Sequence, residues 1–271
     1  MKKIRVAYRL FLVAIHVAVG LAITATVLRH GEGRTPRDSE RAIISWWMRR
    51  LTHILGLNIK VFGIPSRQSV LVVSNHISWL DVPVLLSLLP VSFVSKIEIR
   101  HWPLAGVLSA RSGTLFIQRG GKNASSQAAE QIAFRLRGGD SIAIFPEGKT
   151  SDGHSVRHFH PRLFGAAVHG EVDILPVAIR YPHAQGVHPA APFQNDEPFF
   201  WHGVRVLSER QIDVEVTLCR RLASQSVDRD TLAKQAHEAV RQVVECRPEL
   251  AQAESHAWII AWGLMLRTRQ A

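Results

Sequence analysis

Short apolar runs alternate with stretches of helical periodicity between residues 58 and 223, and no other feature of the chain constrains its fold as strongly. The runs are rich in β-branched residues, as is typical of strands buried on both faces. They predict strands at 59–62, 70–74, 93–95, 114–117, 141–145, 174–179 and 214–218. Helices are predicted at 81–88, 102–110, 125–137, 161–168 and 229–246. This alternation predicts an α/β fold whose sheet is covered by helices.

Two segments do not follow this alternation and predict their structure less clearly. Proline, alanine and histidine dominate 181–200, which predicts a long surface loop. The segment 249–267 is rich in tryptophan, isoleucine and leucine. It predicts a last amphipathic helix that either touches a membrane or caps the domain.

The N-terminal segment 10–28 carries no formal charge and is long enough to cross the hydrocarbon layer of a membrane as a helix. Basic residues at positions 2, 3 and 5 favour a cytoplasmic N-terminus, but further arginines follow the segment. A retained anchor or re-entrant hairpin, a cleaved signal peptide and a buried soluble helix all remain open. The next amphipathic stretch, 42–55, places two tryptophans beside two arginines, which suits either the lipid headgroup layer or packing on the domain.

The net charge of +11 is consistent with a nucleic acid, an anionic membrane surface or acidic substrates as partners. No nucleic-acid-binding module accompanies the scattered basic residues, so we expect no nucleic-acid partner. The excess is densest near the apolar termini, which favours an anionic membrane surface. A solvated basic surface without a partner is the plain alternative. Cys219 and Cys246 indicate neither a disulfide framework nor a zinc site.

The motif Asn-His-Ile-Ser-Trp-Leu-Asp at 75–81 joins a predicted strand to a predicted helix. An imidazole at such a turn can face a cleft, and the carboxylate of Asp81 can return to the ring of His76. A carboxylate that accepts from one ring nitrogen leaves the other free to act as a base toward a hydroxyl. On its own the pair is weak evidence, because most such pairs are a turn histidine and a helix cap.

Further blocks follow in order. Gly-Thr-Leu-Phe-Ile-Gln-Arg at 113–119 ends on Arg119, whose planar fork can bind a phosphate. Phe-Pro-Glu-Gly-Lys-Thr-Ser at 145–151 combines a carboxylate, a glycine turn, a lysine and hydroxyls, which suit a polar headgroup site. Ile-Leu-Pro-Val-Ala-Ile at 174–179 reads as a strand in which Pro176 must lie at an edge, a start or a bulge.

Jointly and in this order, the blocks resemble the glycerolipid acyltransferase family, typified by 1-acylglycerol-3-phosphate acyltransferases, over residues 58–220. The resemblance implies an α/β sandwich, with a mixed sheet flanked by helices and an active site near the membrane surface. It implies transfer of a fatty acyl group from acyl-CoA or acyl-carrier protein to the hydroxyl of a lysolipid, converting 1-acylglycerol-3-phosphate to phosphatidic acid. These are co-substrates, and the family uses no cofactor and no metal.

The resemblance also implies roles for individual residues. His76 would be the general base and Asp81 would orient it. Pro176 lies in the block associated with the acyl donor. The acceptor would be bound by Arg119, Glu147, Gly148, Lys149 and Thr150. We further expect membrane-associated helices at 1–57, an acyltransferase domain at 58–225, and C-terminal helices of the same fold at 226–271. The expected location is the inner membrane, with the catalytic domain on the cytoplasmic face.

The block at 145–151 departs from the family pattern, because Lys-Thr stands where the family has Thr-Arg. The second headgroup arginine is therefore missing. Lys149 or Arg157 can replace its charge, but a lysine lacks the bidentate fork. The sequence Glu-Gly-Lys-Thr-Ser-Asp-Gly at 147–153 resembles the variant in the branch that acylates lyso-ornithine lipid, whose headgroup is an amino acid. Lyso-ornithine lipid is therefore the alternative acceptor.

Other classes of function fit parts of the pattern. A thioester or ester hydrolase could use the same histidine and aspartate, although no Gly-x-Ser-x-Gly motif is present. A non-catalytic membrane-binding protein would need none of the polar residues in the four blocks. His154, His158 and His160 form a histidine-rich loop, but no carboxylate or cysteine set completes a metal site, so we expect none.

Overall fold

The computed structural model describes residues 2–28, 34–66, 68–118, 124–194 and 197–245. In chain order the elements are α1 (Lys2–Thr26), α2 (Asp38–Leu55), β1 (Leu57–Phe62), β2 (Leu71–Ser74), α3 (Asp81–Leu88), β3 (Val91–Lys96), α4 (Ile97–Arg100), α5 (Ala105–Arg111), β4 (Leu115–Ile117), α6 (Ala124–Arg137), β5 (Ser141–Ile144), α7 (Gly165–Gly170), β6 (Ile174–Arg180), β7 (Pro182–His183), β8 (Gly186–Val187), α8 (Phe199–Ser208), β9 (Ile212–Leu218) and α9 (Arg229–Glu245).

The main sheet has seven strands in the order β1-β9-β6-β2-β5-β3-β4. The strands from β6 to β4 are parallel to their neighbours. Strand β9 runs antiparallel to β6 and parallel to β1. The predicted mixed sheet flanked by helices is confirmed, and each predicted strand belongs to it.

The core has one layer on each face of the sheet. Side chains alternate along the strands, so Val72 of β2 faces one layer and its neighbours Leu71 and Val73 face the other. The first layer contains buried residues of α2, α3 and α8, and the second contains those of α6, α7 and α9. The central strands are therefore covered on both sides, which explains why their sequences are apolar throughout rather than alternating.

A bulge accommodates proline within the sheet. Strands β6 and β9 pair from Val177 and Leu218, and a further bridge joins Ile174 to Leu222. On β6, two residues lie between the bridged positions Ile174 and Val177. On the opposite segment, three residues lie between Leu218 and Leu222, so this segment has one extra residue opposite Pro176. This agrees with the prediction that the proline lies at an edge, a start or a bulge.

The structure differs from the sequence prediction over 181–200, which is not simply a surface loop. Tyr181, Ala190 and Ala191 are buried, β7 and β8 pair as a short hairpin, and α8 begins at Phe199. The helix follows Pro198 directly, and its first turn is aromatic, so neither the periodicity nor a polar cap indicated its start. The helix predicted at 161–168 begins as a 3₁₀ turn at Pro161–Phe164. The prediction for 249–267 lies outside the described residues.

Helix α1 is the one helix in the described part of the chain that is long and apolar enough to cross a membrane, with a mean hydropathy of 2.1 over its most apolar window. Its inner face packs on the rest of the protein. Trp47 of α2 donates to the carbonyl of His16 over 3.2 Å, and the two rings stack with centroids 4.5 Å apart. The side chain of Arg41 in α2 forms an ion pair with Asp140, which connects the N-terminal helices to the start of β5.

Candidate active site

The candidate site lies where β2, β5 and β6 end. These strands are adjacent and parallel, so their carboxyl ends meet at one edge of the sheet. Residues 75–81 follow β2, residues 145–151 follow β5, and Tyr181 follows β6. The crevice beyond the carboxyl ends of parallel strands is where α/β folds commonly bind ligands.

His76 and Asp81 are in direct contact. Nδ1 of His76 lies 2.8 Å from Oδ2 of Asp81, and the histidine side chain is 19% exposed whereas the aspartate is fully buried. Because the ionised carboxylate only accepts, Nδ1 carries the proton and Nε2 is the basic nitrogen. Nε2 has no hydrogen-bond partner within the described ranges. The imidazole is therefore oriented on one side and available on the other.

The carboxylate of Asp81 accepts from three further donors. Oδ2 accepts from the backbone N–H groups of Ile77 and Ser78, at 2.7 and 2.9 Å, and Oδ1 accepts from the hydroxyl of Tyr181 at 2.7 Å. These hydrogen bonds stabilise a charged carboxylate that water does not reach. Helix α3 begins at Asp81, and Pro83 in its first turn removes no helical hydrogen bond because that N–H would have no partner in the helix.

Aromatic packing and backbone contacts fix the position of His76. Its ring stacks on Phe145, with centroids 3.9 Å apart and planes 9° apart. Its carbonyl accepts from the backbone N–H of Ser151 at 2.8 Å. The neighbouring Asn75 exchanges two hydrogen bonds with the backbone of Ile179, at 2.9 and 2.8 Å. The turn after β2 is thereby held to both adjacent strand ends.

Glu147 is buried behind the histidine. Its Oε1 accepts from the backbone N–H of His76 over 3.1 Å, and its side chain is 4% exposed. Burial raises the pKa of Glu147 to about 8, and the charge of Asp81 acts in the same direction, although the His76 N–H and Arg157 lower it. The carboxyl group is therefore mostly protonated at neutral pH. Its Oε2 has no partner in the part of the chain that the structure describes.

Three further predicted acceptor residues lie on the turn after Glu147. Gly148 has a φ of +76°, a left-handed conformation that favours glycine. Lys149 is exposed, and the hydroxyl of Thr150 donates to the carbonyl of Phe193. Arg119 lies outside the described residues, two positions beyond the end of β4. Pro176 is buried within β6 rather than at the strand ends.

Two residues that support the site were not among the predicted ones. Tyr181 is 1% exposed and reaches Asp81 across a hundred positions of sequence. Asn75 belongs to the motif, but its link to Ile179 depends on β2 and β6 being neighbours. The sequence feature that could have indicated Tyr181 is its position: it is an aromatic residue with a hydroxyl, placed directly after an apolar strand.

Comparisons with known proteins show which family the chain resembles. A family described as Acyltransferase matches residues 58–180. The chain is 42% identical to a lyso-ornithine lipid O-acyltransferase of Pseudomonas aeruginosa, over 83% of this chain and 88% of that protein. It is 30% identical to a 1-acyl-sn-glycerol-3-phosphate acyltransferase of Neisseria gonorrhoeae, over 87% and 93% of the two chains.

A solved structure shares the fold. The 1-acyl-sn-glycerophosphate acyltransferase PlsC from Thermotoga maritima superposes with a TM-score of 0.66 at 22% identity, covering 90% of this chain and 97% of that one. Sequence relatives and fold therefore agree, and the chain belongs to the glycerolipid acyltransferase family and is an acyltransferase.

Proposed function

We propose that this enzyme transfers a fatty acyl group from a thioester donor to the hydroxyl of lyso-ornithine lipid, with His76 as the general base. The observation that carries the chemistry is the contact of 2.8 Å between His76 and Asp81 beside an available Nε2. The choice of lyso-ornithine lipid as acceptor is supported by the 42% identity to the lyso-ornithine lipid enzyme of Pseudomonas aeruginosa and by Lys149-Thr150 in place of Thr-Arg. The alternative acceptor is 1-acylglycerol-3-phosphate, which the names of other relatives support.

The reaction begins when the acceptor hydroxyl donates its proton to Nε2 of His76. The hydroxyl oxygen attacks the thioester carbonyl carbon, and a C–O bond forms. The tetrahedral intermediate collapses with cleavage of the C–S bond, and the imidazolium returns its proton to the leaving sulfur. The products are the acylated lipid and a free thiol, so neither an external oxidant nor a metal is required for balance.

Asp81 has two effects in this scheme. It fixes the tautomer with the proton on Nδ1, and its negative charge stabilises the imidazolium while that species exists. Protein electrostatics of this kind are effective because the carboxylate is fully buried and its donors are already in position.

The acceptor headgroup binds near the turn that follows β5. Lys149 is exposed there, and its ammonium can pair as a point charge with the carboxylate of an ornithine headgroup. Gly148 and Thr150 belong to the same turn, and the buried Glu147 lies at its start. Arg119 contributes a further cation to headgroup binding. Pro176 belongs to the strand that borders the acyl-donor side. The donor is acyl-CoA or acyl-carrier protein.

The enzyme acts at a membrane, because both proposed acceptors are lipids and α1 is an apolar helix that is mostly unburied within the protein. Basic residues flank the apolar segment on both sides, which favours the cytoplasm for both of its ends. Both end regions of α1 also contact the catalytic domain, through Arg9 to the carbonyl of Glu209 and through the carbonyl of Leu28 to Arg111, so they lie on the same side of the membrane. We therefore place the catalytic domain on the cytoplasmic face of the inner membrane.

Acyl transfer to purified lysolipids tests the function. Full-length enzyme is incubated with radiolabelled acyl-CoA or acyl-carrier protein and with either lyso-ornithine lipid or 1-acylglycerol-3-phosphate. We expect a higher kcat/KM for lyso-ornithine lipid with at least one donor and loss of transfer in His76→Ala. Preference for 1-acylglycerol-3-phosphate would support the alternative acceptor. Release of free fatty acid without added lysolipid would indicate a hydrolase and contradict the proposal.

A further inference from the structure

A group of large apolar side chains is exposed beside the active site. Its members come from the first turn of α8 and from the segment 102–107, and their exposed fractions range from 47% to 62%. We call this surface the α8 patch; it consists of Trp102, Leu104, Val107, Phe199, Phe200 and Trp201. An apolar surface of this kind on a protein commonly marks an interaction site.

The two parts of the patch are in contact with each other and with the catalytic motif. The rings of Trp102 and Phe199 have centroids 6.3 Å apart, and Phe199 also packs on Trp79 at 5.1 Å. Trp79 lies between His76 and Asp81 in sequence, and its indole N–H donates to Nδ1 of the fully buried His202 over 2.9 Å. The patch therefore borders the motif that carries the catalytic base.

The helices that carry the patch contact α1, which has an exposed apolar surface of its own. Helix α1 contacts both α8 and α5, and Arg9 of α1 donates to the carbonyls of Leu207, Glu209 and Arg210 at the end of α8. The outer side of α1 carries exposed apolar residues spaced three or four positions apart, which places them on one face: Ile4, Tyr8, Phe11, Ile15 and Val19.

We propose that the α8 patch inserts into the boundary between headgroups and acyl chains of a phospholipid bilayer, as a membrane contact separate from α1. Tryptophan and phenylalanine are favoured at that depth. The net charge of +11 favours an anionic lipid surface. Contact through α8 holds the motif at 75–81 at the level where a lysolipid hydroxyl lies, so the acceptor reaches His76 without leaving the bilayer. This goes beyond the proposed function, and its first test does not require activity.

An environment-sensitive probe tests the contact directly. The fluorophore NBD is attached to the cysteine of Phe200→Cys in a full-length Cys219→Ala/Cys246→Ala background. The matched control carries the probe at Phe134→Cys, because Phe134 is 72% exposed on α6, in the layer on the other face of the sheet. Vesicles of phosphatidylethanolamine and phosphatidylglycerol are added, with or without lipids that carry a doxyl quencher on the acyl chain.

We expect the probe at 200 to shift to the blue and to be quenched by the doxyl lipids, while the probe at 134 keeps its aqueous spectrum. Equal, water-like spectra at both positions in membrane-bound protein would overturn the proposal. A blue shift at 200 that needs no vesicles and grows with protein concentration would also overturn it, in favour of a second copy of the chain as the occupant.

A kinetic test then relates the contact to substrate access. Phe200→Ser/Trp201→Ser should lower kcat/KM by about five-fold or more for lysolipid presented in vesicles, since each exposed aromatic side chain loses its transfer into lipid. The same variant should retain its rate on a short-chain lysolipid that is monomeric in solution. Equal losses on both substrates would contradict a membrane contact. Absence of activity in the wild type would reject the proposed function alone, because the probe experiment stands without it.

Discussion

The hydroxyl of Tyr181 donates a hydrogen bond of 2.7 Å to Oδ1 of Asp81, while the other oxygen of the same carboxylate binds His76. Burial and the neighbouring carboxylate raise the pKa of the Tyr181 phenol well above its usual range, so it remains a donor. Tyr181 thus acts on the reaction through Asp81, as a positioning residue.

We expect Tyr181→Phe to lower kcat by about ten-fold with little change in KM, because Asp81, and His76 with it, would be held less firmly in the productive position. A purely structural loss would instead lower the amount of folded enzyme and leave kcat per folded molecule unchanged. The control is Tyr8→Phe, since Tyr8 is the other tyrosine of the chain and is 61% exposed. An unchanged kcat with a lower melting temperature would contradict the positioning role.

The second prediction concerns the base itself. His76→Ala should lower kcat by about 10²- to 10⁴-fold, which is the usual contribution of a general base. Asp81→Asn should cause a comparable loss, because the amide presents a donor where Ile77 N–H, Ser78 N–H and the imidazole already donate. Single-turnover acyl transfer measures both. Asp230→Asn, an exposed carboxylate on α9, controls for the loss of charge. Full activity in either active-site variant would reject the mechanism.

Strand positions could be predicted because strands buried on both faces leave continuous apolar runs in the sequence, as in β2 and β6. The order of the strands in the sheet could not be predicted, because an apolar pattern shows which residues are buried but not which strands are neighbours. The contacts of Tyr181 with Asp81 and of Asn75 with Ile179 depend on that order. His76 and Asp81 were predictable because only five positions separate them, so the local turn already brings their side chains together.

The third prediction is a pH dependence of stability that comes from Glu147. Its pKa is raised from 4.5 to about 8, so the folded state retains a proton that the unfolded state releases between these values. This contribution to stability is complete below pH 4.5 and is lost as the pH rises through 8. The loss is on the order of 5 kcal/mol over that window.

Glu147→Gln removes the titrating group but retains an oxygen that can accept from the His76 N–H. The melting temperature of the variant should therefore rise relative to that of the wild type as the pH increases from about 5 to about 8. Melting curves at several pH values measure the difference, with the exposed Glu130→Gln as the control. A difference that does not vary with pH would show that Glu147 does not titrate in this range.

The fourth prediction tests how closely α1 packs on α2. A Cβ atom added at Gly20 would lie 2.3 Å from the ring of Trp47, a distance that the ring cannot accommodate without moving. Trp47 is 8% exposed and is held by stacking on His16, so it cannot turn away into solvent. Gly20→Ala should therefore separate the helices and destabilise the protein by about 1–3 kcal/mol.

Gly203→Ala is the matched comparison, because Gly203 is also helical but the added Cβ would meet no atom within 4 Å apart from its chain neighbours and its own helix backbone. At that position alanine should stabilise the protein by about 0.5–1 kcal/mol, since it reduces the conformational freedom of the unfolded chain and has the higher helix propensity. Melting in detergent measures both variants, and opposite signs are expected. Stabilisation by alanine at both positions would mean that α1 does not pack against Trp47. The set of residues on the outer face of α1 depends on that packing and would then change. The α8 patch does not depend on it and would stay as described.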